Sequence, residues 1–495
     1  MEFHVKSGQP EKQRSACLII GVYANKRLST TAKKIDQLSE QYISNVIRRG
    51  DLEGKLGQTL LLHHVPGLLA ERVLLIGCGP EADLADKQFK KLITSAAQAL
   101  SKISVIEATS YLTEIKVNHR DIAWMVRQSV QIINEHCYRF EQFKSQPQIR
   151  RGLRRFNMML GTRKELTLAE KAIQQGLAIV QGMVFTKNLA NTPPNICTPS
   201  YLAEQASELS QRYKKMSVSI LEAQDMENLG MGLLLSVSQG SPQPPKLISL
   251  EYRGAPKAQK PVVLIGKGVT FDTGGNSLKS PSNMLGMKYD MCGGATVMGV
   301  LEAVAKLALP LNVVGIIPAC ENTPGGHASR PDDIVTSMSG LSVEIQNTDA
   351  EGRLILADAL TYCERFNPAT VIDIATLTGA CVVALGHHTS ALLSNEPALA
   401  QELLDAGLKA SDPAWQLPLW DEYQEQIESK FADIRNVGGP AAGTITAACF
   451  LSRFAEKYQW AHLDVAGTAC IFAGEKQGAS GRPVPLLVQY LIDKA

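Results

Sequence analysis

A chain of 495 residues, 45% hydrophobic and 20% charged with a formal charge of +2, is too long for one ordinary domain and predicts two or three. Its composition is that of a globular protein with an ample core, and the near-zero charge excludes a global pull toward nucleic acid or anionic membrane. The ten cysteines are scattered, with no CxxC pair and no zinc-finger spacing, so buried reduced thiols are expected rather than a disulfide framework.

In chain order, Met1–Ser15 is polar and charged. The apolar run Ala16–Ala24 is too short and too glycine-broken for a signal peptide or a membrane span. A cytoplasmic protein with no membrane segment is expected. Residues 1–163 read as a first α/β domain. Its strand candidates are Cys17–Val22, Thr59–Leu62, Val73–Gly77 and Ile103–Ile106, with a helix pattern at Phe89, Leu92, Ile93, Ala96, Ala97 and Leu100. Strands alternating with helices predict a mostly parallel sheet. Gly77-Cys78-Gly79 lacks the third glycine of a dinucleotide fingerprint and runs into Pro80, so a plain turn after a strand is the better reading. His63-His64 has no acidic or cysteine partner nearby and reads as structural.

A basic cluster follows at Lys144, Arg150, Arg151, Arg154, Arg155, Arg163 and Lys164. A solvated linker is the favoured reading, and a DNA contact the alternative. From Glu165 to Leu189, apolar residues at Leu166, Ala169, Ile173, Leu177, Val180 and Val184 are spaced by three and four, the period of a long amphipathic helix. Pro193-Pro194 ends it. This helix joins the first domain to a larger α/β domain at 164–495. Strands are expected there at Leu247–Tyr252, Val262–Ile265, Val313–Pro318, Val371–Ile374 and His462–Val465. His387-His388 reads as a non-ligand pair, and His462 as a satisfied core histidine.

Two segments of this second domain concentrate charge. Gly266-Lys267-Gly268-Val269-Thr270-Phe271-Asp272-Thr273-Gly274-Gly275 follows a buried strand and runs on through Lys279 to Lys288-Tyr289-Asp290. Asn347-Thr348-Asp349-Ala350-Glu351-Gly352-Arg353-Leu354 precedes an apolar helix pattern. Read as extended chain, Asp349, Glu351 and Arg353 share one side. Open α/β sheets place ligands at the carboxyl ends of their strands. Asp272, Asp290, Asp349 and Glu351 in one site repel each other unless cations balance them. Two divalent ions would do so, and hard oxygen ligands suit Mg²⁺ and Mn²⁺, with Zn²⁺ also accepting carboxylates. A lysine ligand must lose its proton, which an adjacent dication favours.

These segments together resemble the leucyl aminopeptidase family of two-metal cytosolic exopeptidases, N-T-D-A-E-G-R-L being the most distinctive stretch. The resemblance runs from about Glu165 to the C-terminus. It includes Asn191–Asn195, Ala375–Ala380, Asn436–Gly439 and Trp460–Gly467. It implies one metal on Asp272, Asp349 and Glu351, and a second on Lys267, Asp272, Asp290 and Glu351. The ions are Mn²⁺ or Zn²⁺, with Mg²⁺ and Co²⁺ open. It further implies that Lys279 stabilises the oxyanion and that Arg353 holds a bicarbonate acting as general base. Met287, Asn347, Thr376, Leu377 and Gly379 are implied to line a pocket for Leu- or Met-like side chains. Substrates would be peptides with a free N-terminus, and the assembly a homohexamer. Two positions depart from the family pattern: Asn276, where an aliphatic residue is usual, and Lys279-Ser280-Pro281, where proline usually follows the lysine directly. The rival readings are a DNA-binding regulator on the same fold and a two-metal phosphatase or nuclease. The filled ligand positions argue against the first as a dead enzyme, and the lysine ligand argues against the second.

Overall fold

The computed structural model describes residues 1–146, 152–472, 474 and 477–495. The chain forms two compact units, Met1–Val180 and Gln181–Ala495.

The first unit is built on a seven-stranded sheet. Its strand order is Glu2–Lys6, Arg155–Met159, Glu107–Ser110, Leu18–Tyr23, Val73–Gly79, Thr59–Leu62, with the short Arg27–Leu28 beside Leu18–Tyr23. Pairing is parallel except at Thr59–Leu62 and Arg27–Leu28, as the alternation of strands and helices predicts. Gly77-Cys78-Gly79 lies within the Val73–Gly79 strand.

The strand expected at Ile103–Ile106 is displaced to Glu107–Ser110. Residues 102–105 spend their backbone on turns that close the preceding helix (Lys102 N–H to Ala99, Val105 N–H to Ile103), and Ile106 is 63% exposed. Three strands of this sheet went unforeseen, Glu2–Lys6, Arg27–Leu28 and Arg155–Met159. In Glu2–Lys6 only Phe3 is buried, because it is an edge strand whose other face is wet. Of the basic cluster, Arg150 and Arg151 lie outside the described residues. Lys144 pairs with Glu141, and Arg155 with Glu2 and Glu107. His63 and His64 are exposed beyond the Thr59–Leu62 strand.

One helix spans Leu166–Asn191, ending before Pro193. Among the described residues no helix is long and apolar enough to cross a membrane.

The second unit holds a nine-stranded sheet. The order is Ala414–Gln416, Ser390–Ser394, Gln459–Asp464, Thr370–Ala375, Val262–Gly266, Asn312–Asn322, Lys246–Arg253, Met216–Leu221, with Gly268–Asp272 also beside Asn312–Asn322. The central strands Gln459–Asp464, Thr370–Ala375, Val262–Gly266 and Asn312–Asn322 run parallel. Their side chains are almost wholly buried, which explains why they read as continuous apolar runs. Helices Cys292–Leu307 and Glu351–Tyr362 pack against them. The four central carboxyl ends therefore open at one edge, and the charged segments sit there.

Candidate metal centre

Lys267 follows directly on the Val262–Gly266 strand, and its backbone N–H donates to the Ile374 carbonyl at 3.0 Å. Asp272 closes the next strand, Gly268–Asp272. Asp290 lies in a 3₁₀ turn, Met287–Met291, that runs into the helix Cys292–Leu307. Glu351 is the first residue of the helix Glu351–Tyr362. The extended reading of 349–353 is thus corrected. Asp349 is in the loop, but Glu351 and Arg353 are helical and stand about 200° apart around the axis. The small Ala350 and Gly352 admit close packing, and the following apolar residues need a helix to be buried. Arg353 accordingly turns to Asn436, donating from Nη1 to its carbonyl at 2.8 Å.

Asp272, Asp290 and Glu351 each bring a carboxylate oxygen within 4.8 Å of the others, and all three are buried. Two ammoniums thread the cluster. Lys267 Nζ lies 2.7 Å from Asp290 and 2.6 Å from Glu351. Lys279 Nζ lies 2.8 Å from Asp272 and also pairs with Asp349. Lys267 passes directly over the helix start. A Cβ on Gly352 would stand 2.7 Å from Lys267 Cε and Nζ, so any other residue there would displace the lysine.

Two ammoniums do not balance four carboxylates. Burial pushes Asp272 up to about 6, with Glu351 adding to the shift. Burial likewise raises Asp290 and Asp349. Glu351 goes the other way, because Lys267 beside it outweighs the cost of burial. Burial alone would lower Lys267 and Lys279, but the surrounding carboxylates hold both above their usual value. Glu351 Oε2 is buried with no hydrogen-bond partner. Buried carboxylate oxygens short of positive charge are the donor set that a hard or borderline dication takes.

The supporting residues tie these elements together. Asn322, at the end of its strand and 4% exposed, donates from Nδ2 to Asp272 at 2.8 Å and to the Thr348 carbonyl at 3.0 Å. Thr348 donates to the Gly274 carbonyl at 2.7 Å. Sequence reasoning missed Asn322. The only signal was a polar residue closing an apolar strand, before Thr323-Pro324-Gly325. Asn436, fully buried, accepts from the Gln346 N–H at 2.8 Å and donates to the Asn347 carbonyl at 2.7 Å.

Of the pocket residues, Thr376 donates to Asp290 Oδ1 at 2.8 Å and its carbonyl accepts from Lys267 at 3.3 Å. The Asn347 side chain accepts from the Asp349 N–H at 2.9 Å. The Leu377 N–H donates to Asp464 at 3.2 Å. Met287 opens the turn that carries Asp290, and Gly379 opens the helix Gly379–Leu385 with nothing within 4 Å of where a Cβ would stand. Asn276 ties the Lys279 loop to its neighbour, donating to the Ser329 carbonyl at 3.0 Å. Pro281 starts a short helix, Pro281–Met284, and Ser280 is its N-cap residue. His387 Nδ1 lies 2.9 Å from the Gly467 carbonyl.

Residues 184–488 match the model of the cytosol aminopeptidase family catalytic domain, and residues 19–147 that of its N-terminal domain. The chain is 55% identical to the probable cytosol aminopeptidase of Thioalkalivibrio sulfidiphilus over 496 residues, covering 100% of both. It is 54% identical to the cytosol aminopeptidase of Vibrio cholerae over 497 residues, covering 100% of this chain and 99% of that one. Among solved structures, the bottromycin maturation enzyme BotP in complex with Mn aligns with a TM-score of 0.83 at 30% identity, over 97% of this chain and 99% of that chain. Two family models in the right order, full-length identity above one half and a buried carboxylate–lysine cluster at the sheet edge agree: this chain belongs to the cytosol aminopeptidase family, the leucyl aminopeptidases.

Proposed function

We propose that the protein removes N-terminal residues, Leu- or Met-like by preference, from peptides with a free N-terminus, using a paired divalent metal site. The observation that carries this is the buried convergence of Asp272, Asp290 and Glu351 around Lys267, with charge left unbalanced. Asp272, Asp349 and Glu351 would hold one ion, and Lys267, Asp272, Asp290 and Glu351 the other. Divalent ions there would supply Lewis acidity and an acidified water. Mn²⁺ is the first to try, given the Mn named with BotP; Zn²⁺, Mg²⁺ and Co²⁺ follow.

The protein's own groups define the rest. Lys279 is a fixed cation at the rim, 14% exposed, suited to stabilising charge that develops on the carbonyl oxygen. Arg353 is 7% exposed, donates one N–H to Asn436, and leaves Nε without a partner. Burial lowers it to about 10, with Glu351 and Asp464 opposing, so it stays a cation at neutral pH. A buried guanidinium with donors to spare fits a small planar oxyanion, and bicarbonate held there would accept the proton released in attack. Met287, Asn347, Thr376, Leu377 and Gly379 would receive the side chain. From the family resemblance alone, we also propose a cytoplasmic homohexamer, with residues 1–163 serving assembly or regulation and 164–495 catalysis.

The test is hydrolysis of a leucine anilide after chelator treatment, with and without Mn²⁺, beside Asp272→Ala and an N-acetylated substrate. Metal-dependent cleavage that disappears in the variant and with the blocked substrate is expected. Absence of cleavage with every metal would overturn the proposal and bring forward the DNA-binding reading, checked by a salt-dependent mobility shift.

A further inference from the structure

Behind the site, the strands Thr370–Ala375 and Gln459–Asp464 carry a buried row of charge that the reading above does not use. Asp373 and His462 are register partners, both with 0% side-chain exposure. His462 Nδ1 lies 2.5 Å from Asp373 Oδ1, and Trp460 Nε1–H donates to Asp373 Oδ2 at 2.7 Å. Both Asp373 oxygens are thus engaged, while His462 Nε2 is buried with no hydrogen-bond partner. The expectation of a satisfied core histidine holds at one nitrogen only.

Two residues along the same strand face stands Asp464, also 0% exposed. Its carboxylate accepts from Thr378 O–H at 2.6 Å, Leu377 N–H at 3.2 Å and Ala466 N–H at 3.1 Å. Each of these bonds needs an acceptor, so a protonated Asp464 loses part of the set. The turn it grips begins at Thr376, whose hydroxyl holds Asp290 and whose carbonyl faces Lys267. Asp464 is therefore one residue removed from the groups that would hold an ion.

A buried carboxylate keeps its charge on hydrogen-bond donors or beside a cation. Burial raises Asp464; the charge of His462, then the Thr378 hydroxyl and the Ala466 and Leu377 N–H donors, pull it back, and Arg353 also attracts it. Burial lowers His462, but Asp373, then Asp464, more than offset that, and Arg353 from the helix Glu351–Tyr362 opposes them.

We propose that His462 is a positioning residue for this site: an imidazolium anchored on Asp373, it keeps Asp464 an ionised acceptor, and Asp464 fixes the Thr376–Thr378 turn against Asp290 and Lys267. The inference rests on the metal-site reading above, and its test does not need turnover. Outer partners of metal ligands change affinity by about 10–100-fold when removed. Mn²⁺ affinity is measured by chelator competition on the full chain for the wild type, His462→Gln, Asp464→Asn and the double variant, with folding checked by circular dichroism. His462→Gln keeps a donor for Asp373 and removes the charge. Expected are a roughly tenfold or greater weakening in each single variant and a double variant no weaker than Asp464→Asn alone, since one residue acts through the other. In leucine anilide assays the acidic limb of kcat/KM moves to higher pH in His462→Gln. Single-variant affinities within about twofold of wild type, or losses that add in the double variant, would overturn the proposal. Should His462→Gln fail to fold, Asp464→Asn decides: unchanged Mn²⁺ affinity overturns it. A wild type that binds Mn²⁺ but cleaves nothing would count against the aminopeptidase reading and leave this test intact.

Discussion

Lys267 and Gly352 show how closely the site is built. The lysine side chain crosses the helix start at the one place where the helix has no Cβ. Gly352→Ala pushes Lys267 off Asp290 and Glu351. A displacement near 1 Å of a reacting group costs about a hundredfold in rate, so kcat/KM for a leucine anilide should fall by about that factor while the thermal midpoint moves little. Lys279 makes a different prediction. Lys279→Ala removes a cation aimed at developing charge, and kcat should fall about 10²–10³-fold with KM little changed. A loss confined to KM would assign Lys279 to binding instead.

At the scale of elements, the helix Glu351–Tyr362 joins chemistry to core. Its first turn carries Glu351 and Arg353. Its third carries Asp358, fully buried, which accepts from the Leu234 N–H at 2.9 Å and the Met338 N–H at 2.8 Å. Burial raises Asp358 to about 7, the backbone donors opposing. The folded protein then binds a proton that the unfolded chain, titrating near 3.9, releases. This contribution to stability is full below about pH 4 and is lost as pH rises through about 7. Asp358→Asn removes the titration and leaves one donor facing an amide N–H. It should cost about 1–3 kcal/mol in urea unfolding, with the gap between wild type and variant wider at pH 5 than at pH 8. A gap that widens toward pH 8 would contradict this.

The same helix shows what was legible beforehand. The buried strands Val262–Gly266 and Thr370–Ala375 and the helix Leu166–Asn191 could be read because burial on every face leaves an apolar run, and one buried stripe leaves a period of three and four. Glu2–Lys6 and Arg155–Met159 were not readable, since edge and paired polar positions dilute the pattern. The metal-ligand candidates stood out because carboxylates and lysines crowd a glycine-rich segment. Asn322 and Asp464 did not, because a polar residue closing a buried strand looks the same whether it serves a site or a core, and His462, inside its strand, reads as core.

For the whole molecule, cysteine placement offers a check on both units. All ten cysteines are free, and Cys137 alone is exposed. Burial raises the buried thiols as well, several to about 12, which withholds the reactive thiolate. A thiol reagent should therefore modify about one cysteine per native chain quickly and the remainder only on unfolding. Rapid loss of several thiols in the native state would contradict the burial of the nine other cysteines.

The central claim is that four carboxylates and Lys267 build a site for a pair of divalent ions. Metal stoichiometry tests it most directly: equilibrium dialysis against Mn²⁺, read by elemental analysis, for the wild type and Glu351→Gln. The account predicts about two ions per wild-type chain and fewer than about one in the variant, because Glu351 would serve both positions. One ion or none in the wild type, or a Glu351→Gln variant that still holds two, would contradict it.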